Sequence, residues 1–431
     1  MERRLLRNVH LLEGQDLPPR RTDVLIEGRQ LLAEGEEAHR RAAGSAMAEL
    51  DARDCWLAPP LVDPHSLLEE PCDGRAETLA SLAAAAAAGG YGTVALLPRA
   101  VGWRDRPERL HLAWEPPLRL RLWGSLSLEG EERDLAPQAD QLTAGAVGLA
   151  ADDHLPSLGL LESSLRLAEM GSQPLLVAPR ATPLTRQGFV RERVEALRAG
   201  WPLDPVVSET LPLQSLLALQ EAHPAVRMVL MNLSTKEAVE VLRRQPAPPP
   251  ATVSWWHLLA DSGNLRPEEE GWRVTPSLGN AADRETLIGA LAEGLIQGVA
   301  VHHVPLDSEE RLLPLDQRRA GVAGHGLALT LLWQELVERR GWSVPQLWQA
   351  LCWGPARLLG EEPERLSFPG ERWILYDPAA SWTWNQGTCP SRAANQLCWG
   401  QTLTGRVRAS GLTEPASWQL EPEPDPGSPS C

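Results

Sequence analysis

The stretch from Thr78 to Pro98 reads Thr-Leu-Ala-Ser-Leu-Ala-Ala-Ala-Ala-Ala-Ala-Gly-Gly-Tyr-Gly-Thr-Val-Ala-Leu-Leu-Pro. It carries no charge, so a membrane span is the first reading to test. Its alanine-rich first half favours a helix, and Gly89-Gly90 breaks it before an apolar run that ends on proline. A buried helix, a turn and a strand fit it better than a span. Upstream, Leu61-Val62-Asp63 is another short apolar run, so the local unit is strand, helix, strand.

Working outward, the same alternation repeats. Strand candidates continue with Leu118 to Leu122, Ala146 to Leu149, Pro174 to Val177, Val226 to Met231, Thr252 to Trp256 and Val299 to Val301. Helical patterns lie between most of them, at Glu77 to Ala88, Ser208 to Ala222, Lys236 to Arg243 and Asp283 to Gly294. Eight β-then-α units over about 300 residues predict a (β/α)8 barrel, with a doubly wound open sheet as the alternative. Residues 1–57 read as short strands and turns, as in Asp23 to Arg29. Strand-and-turn text returns after Arg365, at Arg372 to Asp377 and Gly400 to Ala409. The two β-rich ends, 1–57 and 366–412, should pair with each other beside a barrel at 58–365. The acidic, Pro-rich tail 413–431 should be disordered.

The chain has 431 residues, 43% hydrophobic and 23% charged, which is an ordinary globular composition. Its net charge of −16 argues against wrapping nucleic acid or coating an anionic membrane. The 17 tryptophans against 2 Phe and 2 Tyr are expected mostly in cores. Trp255, Trp256, Trp373, Trp382, Trp384 and Trp399 are the candidates for an interaction surface instead. Six cysteines without a CxxC pair read as free thiols in a reducing compartment. The N-terminus lacks an apolar signal core, and the expectation is a cytoplasmic protein.

On a barrel, chemistry sits at the carboxyl ends of the strands. The first strand runs into Asp63-Pro64-His65-Ser66-Leu67, where residues 63, 65 and 67 share a face. One histidine there is more often structural than a ligand, because one ligand cannot hold a metal. Leu57-Ala58-Pro59-Pro60-Leu61-Val62-Asp63-Pro64-His65 resembles the first-strand signature of the amidohydrolase superfamily. Glu77 to Ser81 with Ala87 to Val94 resembles the dihydroorotase family more narrowly. Ala150 to Asp153, Leu233 to Val239, Asp283 to Glu285, Ala300 to Pro305, and Ser391 to Asn395 with Gly405-Arg406-Val407 agree in order and spacing. The resemblance spans about residues 5 to 411.

The resemblance implies a (β/α)8 barrel of the amidohydrolase kind with a small β-sandwich domain from both chain ends. It also implies reversible closure of carbamoyl-aspartate to dihydroorotate, with one or two zinc ions in the barrel mouth and a strand-eight aspartate shuttling the proton. Position by position, the site is changed. His65 is retained, but the second histidine is Leu67 and the arginine that grips the substrate carboxylate is Glu69. Asp152-Asp153 keeps the strand-four aspartate. Leu176 to Arg180 offers no histidine, and the strand-six histidine is Asn232. His302 stands at the proton-shuttle aspartate, Leu306 at the substrate-side histidine, and Thr275 and Gly279 at the family's Asn and Arg. Arg99 replaces a further asparagine. The one lysine, Lys236, follows strand six and cannot bridge two metals.

His65, Asp153 and His302 are therefore the residual metal-site candidates, and Leu67, Glu69, Asn232, Gly279 and Leu306 the degenerate positions. No cofactor is expected, or a single zinc at partial occupancy. The leading expectation is a catalytically inactive homologue acting as a structural partner. Inactive homologues of this kind assemble with aspartate transcarbamoylase, so that enzyme or a second copy is the expected partner, with no nucleic acid and no membrane. A cyclic amide hydrolase with a rebuilt mononuclear site, and an active dihydroorotase, are the alternatives.

Overall fold

The computed structural model describes residues 2–44, 47–114, 117–266, 268–413 and 416–418. Eight parallel strand segments follow one another as the sequence pattern predicts. The first is Leu61–Ser66, then Tyr91–Leu96, then Arg119–Leu122 continuing through Gly124–Ser125. Leu149–Ala150, Pro174–Val177, Arg227–Leu230, Thr252–Ser254 and Gly298–Ala300 complete the set. Neighbours pair in parallel in this order, the sixth and seventh through a single bridge, Leu230 to Ala251. The helix Leu79–Ala88 is capped by Thr78, whose hydroxyl accepts from Ser81 N–H. The seventh strand ends two residues short of its predicted end, because Trp255–Leu258 winds into a 3-10 turn capped by Ser254.

Side chains on alternate strand positions fill the interior. Ala95 and Leu97, Leu176 and Ala178, and Val229 and Met231 form one apolar cluster with Val62, Leu67 and Trp123. Trp123 is fully buried and donates its indole N–H to Pro64 O at 2.9 Å. Ala356, Leu358 and Leu359 join the same cluster. The tryptophans are mostly core, as expected: Trp255, Trp348, Trp353, Trp373 and Trp384 are fully buried, while Trp399 is exposed.

Among the described residues, no ladder joins the eighth strand to the first. Pro64 has no N–H to give, and the Asp63 side chain takes over the pairing. Asp63 Oδ1 accepts from Val301 N–H at 2.9 Å, while Oδ2 accepts from Ser66 Oγ at 2.5 Å and faces His325 Nε2 at 2.9 Å. Leu67 N–H to His303 O (2.9 Å) and His303 N–H to Ser66 Oγ (2.8 Å) complete the seam. Asp63 is wholly buried; burial raises its carboxyl, but His325 and Ser66 hold it below the ordinary value.

The chain ends pair as expected, in one mixed eight-stranded sheet in which Ile374–Thr383 joins Trp56–Ala58 and Thr402–Ser410. Two readings need correction. Residues 35–42 form a helix rather than strand and turn, with Glu36 and Glu37 in its first turn and His39, Arg40 and Arg41 in its last, both favourable to the helix dipole. Within the segment read as a disordered tail, Ser417–Trp418 pairs with Ala409–Ser410. The Arg4 guanidinium lies 4.2 Å over the Trp418 ring, which also packs on Trp373. Residues 419–431 lie outside the described set. Cys55, Cys72, Cys352, Cys389 and Cys398 form no disulfide, and no helix among the described residues is long and apolar enough to cross a membrane.

Asp63→Ala should cost about 3–5 kcal/mol, because it strands buried donors at the seam. The measurement is the urea midpoint, which should fall at unchanged slope. Asp63→Asn keeps an acceptor oxygen and should lose less.

Candidate functional site in the barrel mouth

His65 and His302 come together in the barrel mouth. Their Nδ1 atoms are 3.2 Å apart, and His65 Nε2 lies 2.9 Å from Thr252 Oγ1, which itself accepts from Asn232 N–H at 2.8 Å. Two proton patterns satisfy this chain: Thr252 Oγ1 donates to His65 Nε2 and His65 Nδ1–H to His302 Nδ1, or His65 Nε2–H donates to Thr252 Oγ1 and His302 Nδ1–H to His65 Nδ1. Both rings are buried, and desolvation pushes His65 down to about 3 and His302 down to about 4, so both are neutral at pH 7. The backbone turns at His302 (φ 45°) and Asn232 (φ 50°) in the left-handed region, a conformation common beside sites and rare for histidine. Both ring nitrogens of His65 are engaged, so its one lone pair reaches a metal only if one of these contacts breaks.

Asp153 does not join the two histidines in a three-donor set. Among the described residues, the donors lying within 4.8 Å of one another are those of Asp152, Asp153 and His154. Cations already surround these carboxylates. Arg99 Nη1 donates to Asp152 Oδ2 at 2.8 Å, Arg180 Nη1 lies 3.7 Å from Asp153 Oδ2, and His154 Nδ1 is 3.6 Å from Asp153 Oδ1. His154 Nε2 also meets Glu132 at 2.6 Å. Asp153 and Glu132 together push His154 up to about 10, which favours the imidazolium at pH 7. Burial would raise Asp153, but His154, Arg180 and Arg99 hold it below the ordinary carboxylate value.

The positions at which the family resemblance implies other residues have structural occupations. Leu67 packs in the barrel interior. Glu69 reverses the charge of the implied substrate arginine, yet it is held by Arg319 in a bidentate pair (2.8 and 2.8 Å) and by Arg99 at 3.1 Å. Leu306 is buried, its N–H donating to Asn395 Oδ1 at 2.9 Å. A Cβ on Gly279 would meet the Asp283 side chain at 2.4–2.7 Å, so a side chain there has no room. Asn232 keeps a buried Nδ2 with no partner. The space among Asp153, Arg180, Asn232, Thr275 and His302 is about 10 Å³, room for about one water. These residues do not fit a catalytic zinc, which needs three free protein ligands and an open position.

Sequence reasoning missed the cover of the mouth. Between the fifth and sixth strands, Val190–Arg191 pairs with Leu203–Asp204. Arg191 is fully buried there, bonded to Glu209 (3.1 Å), Ser208 (2.8 Å) and Ser234 (2.8 Å), and 3.2 Å from Asp204. Phe189 packs edge to face on Trp201 and on Trp272, which are tilted against each other. Two-residue strands carry no periodicity, so only the unexplained Arg-Glu-Arg run at 191–193 could have drawn attention to it.

The His154 pair has a testable sign. Its folded pKa lies above the free value of 6.5, so its stabilisation is fully present below about pH 6.5 and is lost as pH rises through about 10. The wild-type urea midpoint should fall between about pH 7 and pH 10 more steeply than that of His154→Gln, as a denaturation series across that window would show.

No protein-family model matches the chain. Among solved structures, L-hydantoinase (dihydropyrimidinase) from Arthrobacter aurescens superposes with a TM-score of 0.75 at 17% identity, covering 95% of this chain and 94% of that one. D-hydantoinase from Thermus sp. gives 0.74 at 18%, covering 96% and 94%. At such identity they show the fold alone, a TIM-type barrel with a β-sandwich domain. In sequence, the dihydroorotase of Thermus aquaticus is 30% identical over 392 residues, 87% of this chain and 89% of that protein. A dihydroorotase-like protein of Synechocystis sp. is 30% identical over 426 residues, 90% of this chain and 95% of that one. The chain belongs to the dihydroorotase family of the amidohydrolase superfamily.

Proposed function

We propose that this chain is a dihydroorotase-like protein of pyrimidine biosynthesis that does not perform the metal-dependent ring chemistry and serves as a structural partner. The observation that carries this reading is the engagement of each retained ligand candidate. His65 is bonded at both nitrogens, and Asp152 and Asp153 stand against Arg99 and Arg180. A partner surface is supported by exposed Val194 and Leu197 on one helix and Val207 and Leu211 on the next. The two helix starts are tied by Val206 N–H to Glu192 Oε1 at 2.9 Å. Aspartate transcarbamoylase, the partner the family resemblance points to, is the first candidate.

Purified protein with added zinc or manganese should not turn over dihydroorotate or carbamoyl-aspartate above background. Mixed with aspartate transcarbamoylase from the same cell, it should give one larger species by light scattering. Turnover at about 1–10³ per second, abolished by His65→Ala, would replace this reading. The replacement would be a metal-dependent cyclic amide hydrolase using a rebuilt mononuclear site.

A further inference from the structure

We infer that Arg99 and Arg180 are built-in counter-cations that have taken over the charge-balancing and strand-tying place of a divalent metal in the barrel mouth. The inference rests on the absence of a metal-dependent site proposed above and adds what now does the metal's structural work.

Asp152 and Asp153 are adjacent carboxylates at the end of the fourth strand, both largely withdrawn from water. Two such charges stay ionised only beside cations. In a metal site that cation is the metal, which also ties the strands supplying its ligands. Here Arg99, following the second strand, reaches Asp152, and Arg180, following the fifth, reaches Asp153. Arg99 also reaches Glu69 beyond the first strand, and Glu69 is clamped by Arg319 beyond the eighth. Strands one, two, four, five and eight are thus cross-linked by alternating charges. Three guanidinium groups, of Arg99, Arg180 and Arg319, face three carboxylates, of Asp152, Asp153 and Glu69. A divalent ion placed among them would face two guanidinium groups at a few ångströms, so metal and arginines are alternative occupants.

The test uses the full chain and methionine, which keeps an unbranched stem without the charge. The melting temperature and the bound metal are measured for wild type, Arg99→Met/Arg180→Met, and the same double variant carrying Asp152→Asn/Asp153→Asn. Each is measured in chelator and in excess manganese, an ion suited to carboxylate ligands. Wild type should show the same melting temperature in both and no bound metal. The double variant should melt lower in chelator by roughly 5 °C or more, and manganese should restore much of the loss with metal bound. The quadruple variant should recover stability without metal, and it keeps the test decisive if the double variant does not fold. Overturning results are wild type that loses stability in chelator, a folded double variant indifferent to manganese, or a quadruple variant no more stable than the double. A structural partner without this charge substitution would still pass the light-scattering test, so the two failures are distinguishable.

Discussion

Adjacent carboxylates at the end of the fourth strand set the terms for everything around them. Asp152 and Asp153 share a covered mouth, and burial acts on both to favour the neutral acid. The chain answers with guanidinium groups from two other strand ends and an imidazolium from the next residue. Beside those cations, Glu69 bridges Arg99 and Arg319. The histidines inside, neutral through desolvation, bond to each other, and room for about one water remains among Asp153, Arg180, Asn232, Thr275 and His302. The ring that carries these residues depends on a second buried carboxylate, Asp63, which closes the seam where proline breaks the ladder.

Much of the fold was legible because it rests on periodicity. The helix Lys236–Arg243 matches its sequence pattern at both ends, and Pro174–Val177 does the same among the strands. Alternate positions such as Leu176 and Ala178 face inward because a strand gives them no other option. The elements that escaped are those whose stability is tertiary. Helix Gly35–Ala42 buries only Ala38, and the strand pair over the mouth is held by one buried arginine. Trp418 is ordered by a cation over its ring, which composition cannot show.

The site was legible as a set of losses and illegible as a set of gains. Read singly, Glu69 and Arg99 are two missing substrate contacts; in space they are one ion pair. Arg180 reads only as a missing histidine, yet it faces the aspartate that survived. Compensating charges on different strands are far apart in the chain, so nothing local in the text joins them. The motif residues of the closing segment behave similarly. Ser391 and the Arg392 N–H bond Glu77, and Asn395 holds the loop that carries Leu306, so these matches report architecture rather than chemistry.

In the proposed arrangement, arginine side chains and no metal face Asp152 and Asp153. The most direct measurement is a crystal structure of gently purified protein with anomalous diffraction collected on both sides of the zinc absorption edge. The expected result is planar guanidinium density on both aspartates and no anomalous peak within coordination distance of His65, Asp153 or His302. An anomalous peak ligated by Asp153, with Arg180 swung away from it, would contradict the account.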